Sequence, residues 1–565
     1  MHNKTIGKYL KETSALIELT GGNPFRARAM ANAARTVERL EEPAADMLAA
    51  GTLTLVKGIG AGLAAQIDEL VQTGSFEARD ELLGAIPPGV LDMMRIKGLG
   101  AKKVRAIWLQ LEITSIAELE EACTIGRLAD LDGFGEKTQE NILENIRLLK
   151  QYSAHRRYAD AAGQAASLIE ALRGAVERLE PAGAFRRKCE TVEQVDLLVT
   201  GASPDRVAEA CAPFVSAAKT AAGPDGQTVI DGALPDGLRV VIHLTPPERF
   251  GTALFQLTGA EVHVAALTDR LGGLPEVAEE DELYTRAGLA PVPPELREGR
   301  GELEAAAGRL PRLIEYQDLQ GTLHNHSRYS DGAHSLEEMA EATRALGLSY
   351  FGICDHSQSL VIANGLAPER VAQQQDEIRR LNAGYAGRGI PFKIFSGIES
   401  DILADGSLDY PEDVLASFDL IVASVHTRMN MNEADATARI VRAIENPYTT
   451  ILGHPTGRLL LVREGYPLDY ERILDACAEQ GVAIELNANP YRLDLDWRWI
   501  KAATDRGVMI SINPDAHTRE GLADMRWGVE AARKGWLEPS QCLNALSLEA
   551  FSEWLSRPRP KRTRR

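Results

Sequence analysis

The 565-residue chain has no uninterrupted apolar run of the roughly 18 residues that a membrane-spanning helix needs, so no such span and no membrane partner are expected. Its first residues, MHNKTIGKYLKETSALIEL, lack the apolar core of a signal peptide. Cysteine is sparse: six are scattered through the sequence with no C-x-x-C pair. That excludes a disulfide framework and a thiolate zinc site, and it fits buried thiols in a reducing, cytoplasmic setting. Positive charge is also in deficit, with 62 Lys and Arg against 81 Asp and Glu and a formal net charge of -19. Such a balance argues against a protein that grips duplex nucleic acid through a basic face. Net charge is an average, however, and the stretch RPRPKRTRR at 557–565 is a basic tail.

What is present reads as soluble globular protein, with 44% apolar and 25% charged residues and length for roughly three to five domains. Residues 1–150 have helical periodicity. Within them one phrase occurs three times: Val56-Lys57-Gly58-Ile59-Gly60-Ala61-Gly62, Ile96-Lys97-Gly98-Leu99-Gly100-Ala101-Lys102 and Leu131-Asp132-Gly133-Phe134-Gly135-Glu136-Lys137. Each is a glycine–apolar–glycine turn opening an amphipathic helix. Backbone N–H groups at such a turn suit a phosphate oxygen without any basic side chain, which answers the charge objection. One copy reads as a simple helix connector; three copies point to a DNA-backbone module that reads no sequence. Gly58, Gly60, Gly62, Gly98, Gly100, Lys102, Gly133, Gly135 and Lys137 are its candidate DNA contacts.

Residues 155–245 mix helices with strands such as QVDLLVTG, and 246–310 read as a small helical subdomain. The Pro- and Glu-rich stretch LAPVPPELREGRGELE reads as a connector. Beyond Asp318, seven short apolar strands alternate with helices, which indicates a parallel β/α barrel or sheet. Metal-type ligands close the strands: His324 and His326, with Asp331 just after; Asp355-His356; Glu399; His426; His454; and Asp515 with His517. Active sites of parallel barrels are assembled on that rim. Nitrogen and carboxylate ligands without thiolate suit Zn²⁺, Mn²⁺ or Fe²⁺. Arg328, Arg428, Arg458 and Arg492 are candidates to position a phosphate, and Asn487 and Asn489 to line the pocket.

The order of parts resembles the bacterial family X DNA polymerases. The resemblance rests on NPFRARAMANAARTVERL, the three hairpins, AGAFRRKCETVEQVDLLV, and the series HNHSRYSDG, CDHS, E, H, H, DAH of a PHP (polymerase and histidinol phosphatase) domain. It implies a multidomain α+β and α/β chain: an N-terminal helical domain with the first helix-hairpin-helix (1–85), a fingers-like domain with two more (86–150), a nucleotidyltransferase palm (151–245), a thumb (246–310), a linker (290–318), and a distorted β/α barrel (319–556) before the tail. It further implies up to three ions, Mn²⁺ and/or Zn²⁺. His324, His326, Glu399 and Asp515 would hold one; Glu399, His426 and His454 a second; Asp331, His356 and His517 a third. Glu399, Asp515 and His517 would be catalytic.

The palm departs from the family pattern. Its Gly-Ser turn reads Gly183-Ala184, its arginine pair Arg186-Arg187, its Asp-x-Asp Gln194-Val195-Asp196, and its third acid position falls on Gly237-Leu238-Arg239. Asp196 stands alone, so Mg²⁺ or Mn²⁺ and a dNTP are expected to be held poorly and polymerase activity to be weak or lost. The aromatic ribose gate is replaced by Gln256-Leu257, and the lyase lysine by Gln66. The expected function is a PHP-based, metal-dependent 3′–5′ exonuclease on gapped, nicked or 3′-ended DNA. The alternatives are an active Mn²⁺-dependent gap-filling polymerase with PHP proofreading, a small-molecule phosphatase, and a non-catalytic scaffold for DNA ends.

Overall fold

A computed structural model describes residues 1, 3–38, 40, 42–131, 133–223 and 227–558. Of the tail expected at 557–565, residues 559–565 lie outside the described residues, as does Asp132 of the third hairpin. The chain divides into two compact units, Met1–Ser153 and Ala154–Arg565.

The first unit is helical and has two cores. Ile6, Leu10 and Ile17 of helix Asn3–Leu19 pack against Ala27, Met30, Ala33 and Val37 of helix Pro24–Glu38, the three-and-four spacing of paired amphipathic helices. Leu16 and Leu19 face the other way, into a second core with Val90, Val104, Ile107, Phe134 and Ile146. One helix therefore serves both hairpin regions.

Among the described residues the second unit contains fourteen strands. β1 (Arg156–Arg157) and β3 (Thr191–Val192) form a small pair, and a five-stranded sheet has the order β2 (Arg178–Ala182), β4 (Gln194–Thr200), β7 (Arg239–Leu244), β6 (Thr228–Ala233), β5 (Ser216–Ala222). Alternation divides this sheet cleanly. Val195, Leu197, Val199, Val240 and Ile242 pack on helices Tyr158–Arg173 and Pro204–Cys211, whereas Leu198 faces Phe250 and Leu254. Gln194, Asp196, Arg239 and His243 share the latter face by alternation.

The stretch expected to be a connector is packed. Val292 and Leu296 join the core of the helical subdomain with Phe255, Leu267 and Tyr284. Its charged residues go inside because they are paired. Arg297, 2% exposed, lies against Glu280, which also accepts two hydrogen bonds from Arg186 at 2.9 Å. Burial opposes ionisation of Glu280, yet the two guanidinium groups hold its carboxyl below the usual range. His263 and Tyr284 complete a second buried group with Glu302.

Seven parallel strands then follow in sequence order: β8 (Gly321–Thr322), β9 (Tyr350–Ile353), β10 (Lys393–Asp401), β11 (Leu420–Ser424), β12 (Ile451–Leu452), β13 (Ala483–Asn487) and β14 (Ile510–Asn513). A parallel bridge between Asn325 and Ala516 brings the two edges together into a nearly closed barrel. At the other end, Asn544 donates to Gly321 O and accepts from Ile512 N. Outward residues such as Ile394, Ile421, Ile484 and Ile512 pack on the surrounding helices. Inward residues are apolar at the strand starts, where Tyr350, Phe395, Leu420 and Met509 meet Phe551 and Trp554 of the helix Leu548–Ser556. Further along the same inward face come Glu399 and Glu485. The apolar plug below leaves the charged end as the one open to chemistry.

Replacing Arg297 with Met is expected to destabilise the second unit by about 3–5 kcal/mol, since it leaves Glu280 buried with one partner. Denaturant unfolding of the variant checks this; an unchanged midpoint would contradict it.

Candidate metal centre and nucleic-acid interface

In all three hairpins the first glycine is left-handed, with φ of +95° at Gly58, +89° at Gly98 and +84° at Gly133. The apolar residue between the glycines, Ile59, Leu99 or Phe134, is buried and fixes the turn. The second glycine caps the following helix at φ of -83° (Gly60), -79° (Gly100) and -67° (Gly135), where any residue fits. Nor does packing call for glycine there. Among the described residues, and apart from the adjoining chain, no atom lies within 4 Å of a Cβ placed on Gly60, Gly62, Gly98, Gly100, Gly133 or Gly135. A bare backbone facing open space at a helix N-terminus is what close approach of a phosphate requires. Lys102 and Lys137 are exposed in the first turns beyond the caps. Thr caps a helix about as well as Gly but adds bulk. Gly60→Thr and Gly100→Thr together are thus expected to leave the melting temperature of the protein within about 2 °C and weaken DNA binding about tenfold, as read by fluorescence anisotropy at fixed salt.

The residues that the resemblance aligns with a palm are bonded to one another. Asp196 Oδ1 accepts from Gln194 Nε2 at 2.7 Å and lies 3.2 Å from His243 Nε2. Gln194 Oε1, the one oxygen left in place of a carboxylate, accepts from Arg239 at 3.0 Å. Arg239 sits in register beside Gln194 and pairs with Asp231. The arginines aligned with triphosphate binding are engaged too. Arg186 is held by Glu280; Arg187 bonds Glu298 at 2.9 Å and Thr258 O at 2.6 Å, and Glu298 also pairs with buried Lys534. Gly183, at φ +64°, is fixed as glycine, because a Cβ there would fall 2.4 Å from Asp196 Oδ2. Among the described residues, no group of three or more potential metal ligands lies in this sheet. Asp196→Ala is expected to leave nuclease activity and bulk primer extension unchanged within about twofold; a large loss of dNTP incorporation would reveal a working palm.

The barrel mouth is the opposite case. Five imidazoles surround one carboxylate: Glu399 lies 2.8 Å from His356, 2.9 Å from His454, 3.2 Å from His426, 3.4 Å from His324 and 3.7 Å from His326. Asp515 Oδ1 is 2.9 Å from His326 Nε2 and 3.7 Å from His324 Nε2. Asp331 lies 3.2 Å from His517 and 3.6 Å from His356. All nine sequence-derived ligands are thus brought together. Three compact groups stand out: His326, Asp331, His356 and His517; His324, His326 and Asp515; and His356, Glu399 and His426. His326 and His356 each face two groups, although the sequence assigns each to one, and His454 approaches Glu399 from outside these three sets.

Several atoms here are buried yet make no well-directed hydrogen bond: His324 Nε2, His326 Nδ1, His356 Nδ1, Glu399 Oε2 and His454 Nδ1. His324 Nε2 and His356 Nδ1, orphaned within 3.4 Å of Glu399, and the three compact groups of ligand atoms fit divalent cations, and the site binds divalent metal on this chemistry. Burial opposes ionisation of Glu399 and Asp515, but neighbouring histidines hold both carboxyls well below the usual range, and the carboxylates in turn push His324, His426 and His517 up, positive charge that a bound cation would replace. Burial, with His517 and His356 alongside, pushes His326 down to about 3, a neutral imidazole ready to ligate.

A supporting layer escapes the list of strand-end residues. Glu485 Oε1 is 2.7 Å from His324 Nδ1, and its Oε2 accepts from His454 N at 2.8 Å. Asp401 lies against His426 Nδ1, while Asn487 donates to Asp515 Oδ2 at 3.1 Å. Such partners fix ring orientation and raise ligand basicity. An acid two residues beyond Glu399 and one inside the apolar strand GVAIELN were the available signals. Asp355, by contrast, binds Ser327, Ser330 and Gln374 and stays out of the cluster. Of the candidate arginines, Arg458 is spent on Asp496 and main-chain oxygens. Arg492 Nε lies 3.7 Å from Asp515, and its buried Nη1 has no partner. Asn489 caps Tyr491 N.

Comparison with known proteins matches these parts. The Helix-hairpin-helix domain family matches residues 1–76, the SAM-like Helix-hairpin-helix tandem residues 90–147, and the PHP domain residues 322–489. Proteins named "Probable phosphatase" from Syntrophotalea carbinolica and Caldicellulosiruptor bescii are 25% and 26% identical over 244 and 253 residues, or 41% and 42% of this chain and 94% and 95% of theirs. The protein named "DNA polymerase/3'-5' exonuclease PolX" from Bacillus subtilis (strain 168) is 34% identical over 576 residues, spanning 99% of this chain and all of the relative. Identity of that extent, with hairpins before and a PHP barrel behind, places the chain in the PolX family of bacterial family X DNA polymerases.

Proposed function

We propose that this chain is a metal-dependent 3′–5′ exonuclease that removes nucleotides from DNA ends or gaps at the barrel centre, with the hairpins holding the DNA backbone. The observation that carries this reading is Glu399 within 3.7 Å of five imidazoles at the open end of the barrel. We assign up to three ions: His324, His326, Glu399 and Asp515 around one, Glu399 as the bridge with His426 and His454 around a second, and Asp331, His356 and His517 around a third. We assign Mn²⁺ and/or Zn²⁺ from the nitrogen-rich ligand set. Such ions, when bound, supply a nucleophile at neutral pH and neutralise charge on a phosphodiester. The chain's own residues set the geometry: Glu485 orients His324, Asp401 orients His426, and Asn487 orients Asp515. Arg492, beside Asp515, is placed to take a phosphate oxygen.

The relative's printed name includes DNA polymerase, and gap filling is the second reading. Asp196 bonded to Gln194, and Arg186 and Arg187 bonded to glutamates, weigh against it. His324→Ala or Asp515→Ala is expected to lower the nuclease rate about a hundredfold or more while DNA affinity stays within twofold. EDTA should abolish digestion of a 5′-labelled gapped primer, and Mn²⁺ should restore it. Digestion surviving in both variants would remove the cluster from the mechanism.

A further inference from the structure

The loop that leaves the cluster after His356 ends in an unusual tip. Val361 and Ile362, in a short 3-10 turn, are 80% and 95% exposed, while their neighbours Leu360 and Ala363 are buried. The tip is not slack. Ser359 bonds Asp401 Oδ2 at 3.0 Å and Asp409 Oδ2 at 2.6 Å. Asn364, at φ +58°, donates to Tyr329 O and Ser330 O, beside Asp331. Gly365 closes the loop so tightly that a Cβ there would fall 1.9 Å from Ser357 O. One foot therefore stands on the carboxylate that orients His426 and the other next to a ligand of the opposite group. The loop presents two aliphatic side chains to water on a rigid mount at the rim of the metal centre.

The inner part of the cluster is deep: Glu399, His324 and His326 are at most 1% exposed, whereas Asp331 and His517 stand more than a third exposed at its outer edge. A phosphodiester stacked within a duplex end cannot descend to the inner ligands unless its nucleotide leaves the stack. Aliphatic wedges that enter between bases part them without reading sequence, which matches the sequence-independent grip of the hairpins. We propose that Val361 and Ile362 form a wedge that parts the terminal base pair of a paired 3′ end and delivers its nucleotide to the metal centre. This rests on the nuclease reading above and adds to it a structural preference at the DNA end.

The test uses the full chain and the double variant Val361→Thr/Ile362→Asn, both surface changes. With Mn²⁺, digestion of a blunt duplex 3′ end is expected to slow about tenfold in the variant. Digestion of a single strand, and hydrolysis of the p-nitrophenyl ester of thymidine 5′-monophosphate, should stay within twofold. Ile362→Phe, which keeps the apolar bulk, should retain duplex digestion. Equal rates on both DNAs in the variant and the native protein, or equal slowing on both, would overturn the wedge. If the native protein digests neither DNA, the nuclease reading itself fails. The wedge is then judged separately in EDTA by a 2-aminopurine at the 3′ terminus of a duplex. Its fluorescence should rise at saturating native protein and not at saturating variant; an equal response from both would overturn the proposal.

Discussion

A carboxylate sunk in the mouth of an apolar barrel is tolerated only with compensating charge around it, and Glu399 imposes that condition on everything nearby. Its strand position is dictated by alternation, since the inward face of β10 runs from Phe395 at the plugged end to Glu399 at the open one. His426, His324 and His356 answer it, and rings of the cluster need holding in turn, which explains Glu485 and Asp401. Each layer satisfies the one inside it. Glu485 then rests on the His454 amide, Asn487 and Asn513, and Asp401 on the Ser359 hydroxyl, where the demand for charge ends. A centre built this way is rigid before any substrate arrives, which favours catalysis by pre-organisation.

The hairpins solve a different problem for a chain with a net charge of -19. On the proposed reading, glycines with open space at their Cβ positions let amide groups do what lysine clusters do elsewhere. A grip made of dipoles adds little net charge, so the rest of the chain is free to stay acidic.

Much of this was legible in the sequence, for identifiable reasons. The seven barrel strands announce themselves through runs such as FKIFSGIE and DLIVASVH, and the ligands sit at their ends because parallel barrels assemble sites there. The hairpins are legible because one phrase recurs three times. The supporting acids are not, since Glu485 and Asp401 perform no chemistry visible from spacing and differ from surface acids only in burial. The Pro- and Glu-rich stretch was misread for a related reason. Composition marks Arg297 and Glu302 as solvent-facing, and only their long-range partners Glu280 and His263 explain why they are inside. Sharing of His326 and His356 between groups is likewise a matter of angles that no spacing encodes.

The arginines aligned with the palm carry a structural consequence. Arg186 and Arg187 are the partners of buried Glu280 and half-buried Glu298, so they are part of what holds the subdomain and the barrel in place. Freeing those guanidinium groups for a ligand would strand Glu280 and Glu298 with fewer partners, so the stability of this half of the chain is coupled to any change made at the aligned site.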